Sequence, residues 1–123
     1  IKLMGLMPQE KLPEQMRKFD VCLNLFAPGR LSRDVSPLKF YEYLATGKPI
    51  VSTAEPLQVR DYGELVYIAE NKEDFLAKCA AALAEDDPAK TAARISAGKA
   101  VSWDNRVRQM EKALAEAGVF KEE

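Results

Sequence analysis

The chain has 123 residues, enough for one domain with a single core. Its 18 basic and 19 acidic residues leave a net charge of −1, which offers no polybasic face for nucleic acid and no acidic tail. There is no His, and the two Cys, Cys22 and Cys79, are far apart in sequence, which argues against a zinc site and against a Ser-His or Cys-His nucleophile. The hydrophobic content of 47% is that of an ordinary soluble globule. No apolar run approaches the roughly 20 residues of a membrane span. No signal peptide is visible, and a chain that begins at Ile1 rather than Met is read as a piece of something longer. Both Cys sit in apolar settings and read as reduced core thiols of a cytoplasmic protein.

In chain order, residues 2–6 form a short apolar run that predicts a strand ending near Gly5. Pro8 opens a turn, and Pro13 starts a helix with Glu14 in its first turn and Arg17 and Lys18 in its last, a polarity that suits the helix dipole. Residues 21–26, VCLNLF, read as a strand buried on both faces, as in a parallel sheet. Residues 27–35, APGRLSRDV, read as a loop carrying Arg30, Arg33 and Asp34. Further strands are expected at 49–53 and 65–69, joined by a connection that starts at Glu55-Pro56-Leu57 and can form a short helix up to Asp61. Asn71 is expected to cap a helix running to Glu85, Pro88 to begin the next, to about Ala100, and Ser102 to cap the last, over about 102–117. That last helix carries Trp103, Val107, Met110, Leu114 and Ala117 at intervals of 4, 3, 4 and 3, an apolar stripe on which Trp103 reads as a packing anchor. Residues 121–123 are expected to fray. The order β-α-β-α-β-(short α)-β-α-α-α predicts a four-stranded parallel sheet with right-handed crossovers.

The stretch 36–53, SPLKFYEYLATGKPIVST, organises the rest. Ser36 is expected to cap the helix with Pro37 at its first position, and Gly47 to end it in a left-handed conformation. Lys39 stands where a capping box would need an acid, so the helix start is not neutralised. The N–H groups of Leu38 and Lys39, the positive dipole end and the Lys39 ammonium together make an anion site. Arg30 and Arg33 precede it and read either as solvated surface charge or as further anion ligands. Leu38, Phe40, Tyr41, Tyr43, Leu44 and Ala45 cover most of the circumference, which predicts a buried helix. Glu42 shares a stripe with Leu38 and Ala45. It reads either as a structural carboxylate, bonded to loop backbone or Lys39, or as one held for a ligand hydroxyl.

These pieces resemble the second half of the C-terminal domain of retaining glycosyltransferases with the GT-B fold, of the family 4 or "group 1" type. The resemblance rests on KLPEQMRKFDVCLNLF at 11–26, SPLKFYEYLATGKPIVST at 36–53, LVYIAENKEDF at 65–75 and SWDNRVRQM at 102–110. It implies a single, partial α/β domain over 1–123, with a Rossmann-like parallel sheet and helices on both faces. The last helix would pack on this domain or on an absent one. The resemblance also implies a nucleotide-diphosphate sugar as donor substrate, no cofactor and no metal. Partners would be a glycan or lipid-linked acceptor and an N-terminal domain of the same chain, with peripheral membrane association of the full-length protein and no nucleic acid. The family's Glu-x7-Glu motif puts its second Glu, the ribose ligand, at Glu42. Asp34 stands where the first Glu contacts the donor sugar, one methylene shorter. Ser36, Leu38 and Lys39 match the diphosphate-binding helix start. The family's diphosphate-binding Arg and Lys lie upstream of the residues present, so the 123-residue chain alone is expected not to catalyse transfer. A non-catalytic Rossmann-like regulatory or binding module, and a sugar-nucleotide epimerase or phosphorylase of the same architecture, are the alternatives.

Overall fold

A computed structural model describes residues 1–119; the expected fraying of 121–123 lies outside them. Three strands, β1 (Cys22–Asn24), β2 (Ile50–Thr53) and β3 (Tyr67–Ala69), form one parallel sheet in chain order. Cys22 pairs with Ile50 and Asn24 with Ser52; Val51 pairs with Tyr67 and Thr53 with Ala69. Six helices surround and follow the sheet: α1 (Leu12–Met16), α2 (Arg30–Asp34), α3 (Leu38–Thr46), α4 (Lys72–Leu83), α5 (Pro88–Ala100) and α6 (Trp103–Glu116).

The pleat of β2 explains the two-layered core. Ile50 faces the same side as Cys22, and both pack with Phe40 and Leu44 of α3, with Val59 of the 3-10 turn Leu57–Tyr62, and with Val66. Val51 is equally buried on the opposite pleat, together with Ala69, where α4 packs against β2 and β3. Helices therefore cover both faces of the sheet, as the alternation of elements predicts. Phe40 and Leu44 retain no exposed surface, and each such burial contributes about 2 kcal/mol.

Three expectations are corrected. The sheet has three strands among the described residues, not four: residues 1–8 adopt no regular structure, and Ile1, Leu3 and Leu6 are exposed. A strand is stable only where a neighbour accepts its ladder of hydrogen bonds, and no described strand lies beside this segment. β1 is consequently an edge strand. Leu23 on its outer pleat is 43% exposed, so β1, against expectation, is not covered on both faces.

The second correction concerns α3. Pro37, not Ser36, is the N-cap; it is buried with non-helical backbone, and the Ser36 hydroxyl makes no capping bond. The helix is not buried all round either. Phe40 and Leu44 face the sheet, and α5 packs so closely on a second side that a Cβ at Gly98 would lie 2.7 Å from the Ala45 nitrogen. The stripe of Leu38, Glu42 and Ala45 is left facing outward, so Glu42 is an exposed carboxylate. Gly47 ends the helix at φ 73°, as expected.

The third correction is Trp103. Ser102 does cap α6, accepting from the Asn105 N–H at 3.4 Å, and Asn71 caps α4 by accepting from the Asp74 N–H at 2.9 Å. The α6 stripe, however, faces outward, and Trp103 is 78% exposed.

Candidate functional site

A parallel sheet places the carboxyl ends of its strands, and the starts of the helices that follow them, along one edge, where ligands bind in such folds. Here β1 runs into residues 27–35, which contain the one-turn helix α2, and then into α3. The sequence predicts a plain loop for this segment. One helical turn is too short for hydrophobic periodicity to register.

The first turn of α3 contains no acid. The Leu38 N–H turns back to the Ser36 carbonyl at 3.1 Å and the Phe40 N–H to that of Pro37 at 2.9 Å. The Lys39 N–H has no backbone acceptor among the described residues. The helix start therefore offers one free N–H, from Lys39, rather than the expected pair. Ser36, Leu38 and Lys39 are all exposed. The partial positive charge of the helix end and the Lys39 ammonium thus meet at an open surface.

Glu42 lies three residues further on, about 4.5 Å along the axis. It makes no ion pair with Lys39 or any other described cation. Glu42 is among the residues that line a groove of about 460 Å³ between α1 and α3. Leu12, Met16 and Ala45 supply apolar walls, and Arg17, Thr46 and Lys48 supply polar ones. The Lys48 Nζ donates to the Arg17 carbonyl at 3.2 Å, tying the chain after α1 to the end of α3. A largely apolar groove with Glu42 in its lining suits a flat ring that carries hydroxyl groups. Below α3, burial pushes the Cys22 thiol up from its ordinary pKa, against the charge of Lys48.

The other predicted residues fall outside the groove. Arg30 and Asp34, with Leu31 and Val35, line a separate shallow hollow on α2, and Arg33 lines neither. A third crevice, of about 570 Å³, crosses the carboxyl ends of the three strands and is lined by Phe26, Thr53, Glu55, Arg60, Ala69 and Asn71 among others. The sequence singles out none of these as site residues. Arg60 Nε donates to the Ala54 carbonyl at 3.2 Å, and the Arg60 guanidinium lies 3.8 Å from Glu70. Only Glu55, an acid immediately before Pro56 at the end of a strand, carried a signal that could have marked this edge. Among the described residues no three or more His, Cys, Asp and Glu side chains gather as metal ligands, and no helix is long and apolar enough to cross a membrane.

No protein-family model matches the chain, and no solved structure matches it. Among curated proteins the chain is similar to one of Bacillus subtilis (strain 168), provisionally named teichuronic acid biosynthesis glycosyltransferase TuaH. The two are 27% identical over 107 residues, which cover 84% of this chain and 27% of that protein. The chain thus spans about a quarter of the length of the curated relative it matches.

Proposed function

We propose that the chain is the donor-binding part of a glycosyltransferase that uses a nucleotide-diphosphate sugar. The observation that carries this reading is the position of Glu42, an exposed carboxylate residue without an ion pair that lines a largely apolar groove, within about one turn of a helix start that holds no acid. Similarity to a provisionally named glycosyltransferase over most of the chain supports it. In this reading the groove takes the nucleoside, and Glu42 accepts from vicinal ribose hydroxyls, a charge-assisted pair of hydrogen bonds. The diphosphate lies at the start of α3, against the Lys39 N–H and ammonium and beside Ser36 and Leu38. Arg30 and Arg33 come from α2 to add positive charge, and Asp34 orients the donor sugar. As the glycosidic bond breaks, negative charge accumulates on the leaving diphosphate, and groups placed beforehand at that position lower the barrier. The acceptor, a glycan or a lipid-linked glycan, and the remaining cations belong to parts of the protein outside these 123 residues. Transfer without a resident metal, and a cytoplasmic location, are parts of the same proposal.

Ligand-observed NMR with UDP, GDP and ADP, on the chain and on Glu42→Gln, tests this reading. Contact at the ribose protons that weakens in the variant supports it. Nucleotide binding of undiminished strength in Glu42→Gln sinks the assigned role of Glu42.

A further inference from the structure

The segment that carries Arg30, Arg33 and Asp34 is exposed apart from the half-buried Phe26 and Ser32, and residue for residue it has little to hold it. Among the described residues, the hydrogen bonds that tie 26–35 to the body of the fold through side chains are two. The Phe26 N–H donates to Thr53 Oγ1 at 3.0 Å, and the Gly29 N–H donates to Glu55 Oε2 at 3.0 Å. Gly29 is the residue immediately before α2, and the Arg33 N–H closes the turn onto the Gly29 carbonyl at 3.0 Å. Fixing the Gly29 amide therefore fixes the base of α2.

The receiving side is built to be rigid. The Thr53 hydroxyl donates to the Glu55 carbonyl at 3.1 Å while it accepts from Phe26. Arg60 Nε holds the Ala54 carbonyl between them, and Pro56 is buried behind. Thr53 itself ends β2, the central strand, whose ladder to β1 and β3 is continuous. A carboxylate acceptor makes a stronger bond than a neutral one, and here it is anchored to the most constrained strand.

We infer that Glu55 is a positioning residue: its carboxylate, held at the end of β2, latches Gly29 and so orders the α2 segment for the ligand that the α3 start binds. The inference rests on the donor-binding reading for its functional half and on hydrogen bonding alone for its structural half. Glu55 touches no ligand in this scheme. What it contributes is lower conformational entropy in the segment that must bring Arg30, Arg33 and Asp34 to the site.

The test compares the 123-residue chain with Glu55→Ala and Glu55→Gln, first by amide hydrogen exchange without ligand, then by titration with UDP, GDP and ADP. Loss of one such hydrogen bond should raise exchange at 29–34 about fivefold in Glu55→Ala, leaving the amides of β1, β2 and β3 unchanged. Glu55→Gln keeps an acceptor oxygen and should restore most of the protection. Nucleotide affinity should follow the same order, wild type above Gln above Ala. Unchanged exchange at 29–34 in Glu55→Ala overturns the latch. Raised exchange with undiminished affinity for a nucleotide that the wild type binds overturns its role in positioning. If the wild type binds none of the three nucleotides while Glu55→Ala still loosens 29–34, the donor reading fails and the latch stands. If Gln behaves as Ala in both measurements, an acceptor oxygen at this position does not hold the Gly29 amide, and the hydrogen-bonded latch is overturned.

Discussion

Arg94 and Glu85 form a forked ion pair inside the fold: the two terminal guanidinium nitrogens donate to the two carboxylate oxygens at 2.6 and 2.7 Å. The Arg94 side chain has no exposed surface and that of Glu85 has 5%. Arg94 Nε also donates to the Leu65 carbonyl at 2.7 Å, and its Nη1 reaches the carbonyl of Gly47, where α3 ends. The Tyr67 hydroxyl donates to Glu85 at 2.7 Å. One side chain of α5 thus joins the second residue after α4, the approach to β3 and the end of α3.

Removing one partner of a buried pair leaves the other charged and unpaired, at a cost of about 3–5 kcal/mol. Arg94→Ala should lower stability by that order. Arg94→Lys should recover only part of the loss, because an ammonium cannot form the fork. The hydrogen bonds from Arg94, then that from Tyr67, hold the Glu85 carboxyl below its ordinary pKa despite burial. A group depressed in the folded state stabilises the fold above its unfolded pKa, about 4.3 for Glu, and loses that contribution as pH falls through the folded value. Urea unfolding as a function of pH should therefore show wild type well above Glu85→Gln at neutrality, with the two curves converging below about pH 4. Parallel curves over that range would show that Glu85 does not carry the pH dependence.

Gly98 meets α3 backbone to backbone. A Cβ there would stand 2.7 Å from the Ala45 nitrogen, 2.8 Å from its Cα and 3.1 Å from the Leu44 carbonyl carbon, none of which can swing aside as a side chain would. Gly98→Ala must therefore push α5 away from α3, at a cost of about 1–3 kcal/mol. Ser96→Ala, at an exposed position on the same helix, should change stability by less than about 0.5 kcal/mol. Chemical denaturation of the two variants provides the comparison. Equal midpoints would mean that the two helices can separate freely.

The groove and the helix start divide the proposed donor between them, so their contributions are separable. Lys39→Ala should weaken a nucleoside diphosphate by about two- to fivefold and leave the nucleoside unaffected, as expected for an exposed charge near a helix start. Glu42→Gln should weaken both by about tenfold, because it replaces charge-assisted bonds to the ribose. A 2′-deoxynucleotide, which keeps the 3′-hydroxyl alone, should lose only part of that, about threefold, in Glu42→Gln. Titration of the three ligands against the wild type and both variants checks this. An equal loss for the nucleoside in Lys39→Ala would place the ammonium against the ribose instead.

The contrast between what the sequence foretells and what it does not follows from the range of each interaction. The three strands, Gly47, Asn71, Pro88 and Ser102 are legible because each depends on its own residue or on a pattern a few residues long. The burial of α3 is misread because Leu38 and Ala45 look like core residues until the partners of each face are known. Only Phe40 and Leu44 of its large apolar residues are fully buried, while α5 covers another side through Gly98, a residue that carries no hydrophobic signal. Arg94 and Glu85 pair across nine residues and two helices, and nothing local marks either as buried. For the site, the acid-free start at Lys39 is read directly from spacing. The latch from Glu55 to Gly29 spans 26 residues and depends on parallel pairing of β1 with β2.

Trp103 is the only tryptophan and stands 78% exposed at the first position of α6. Val107 and Met110 continue its stripe at 49% and 63%, while the opposite side of the helix carries charge. The isolated chain should accordingly show red-shifted tryptophan fluorescence, close to that of the free amino acid and readily quenched by acrylamide. Trp103→Ala should then change stability by less than about 0.5 kcal/mol, in contrast to the 3–5 kcal/mol typical of a tryptophan removed from a core. A blue-shifted, protected emission that stays constant on dilution would show that α6 folds back onto this chain. The same emission giving way to the red-shifted form on dilution would show that a second copy covers the stripe.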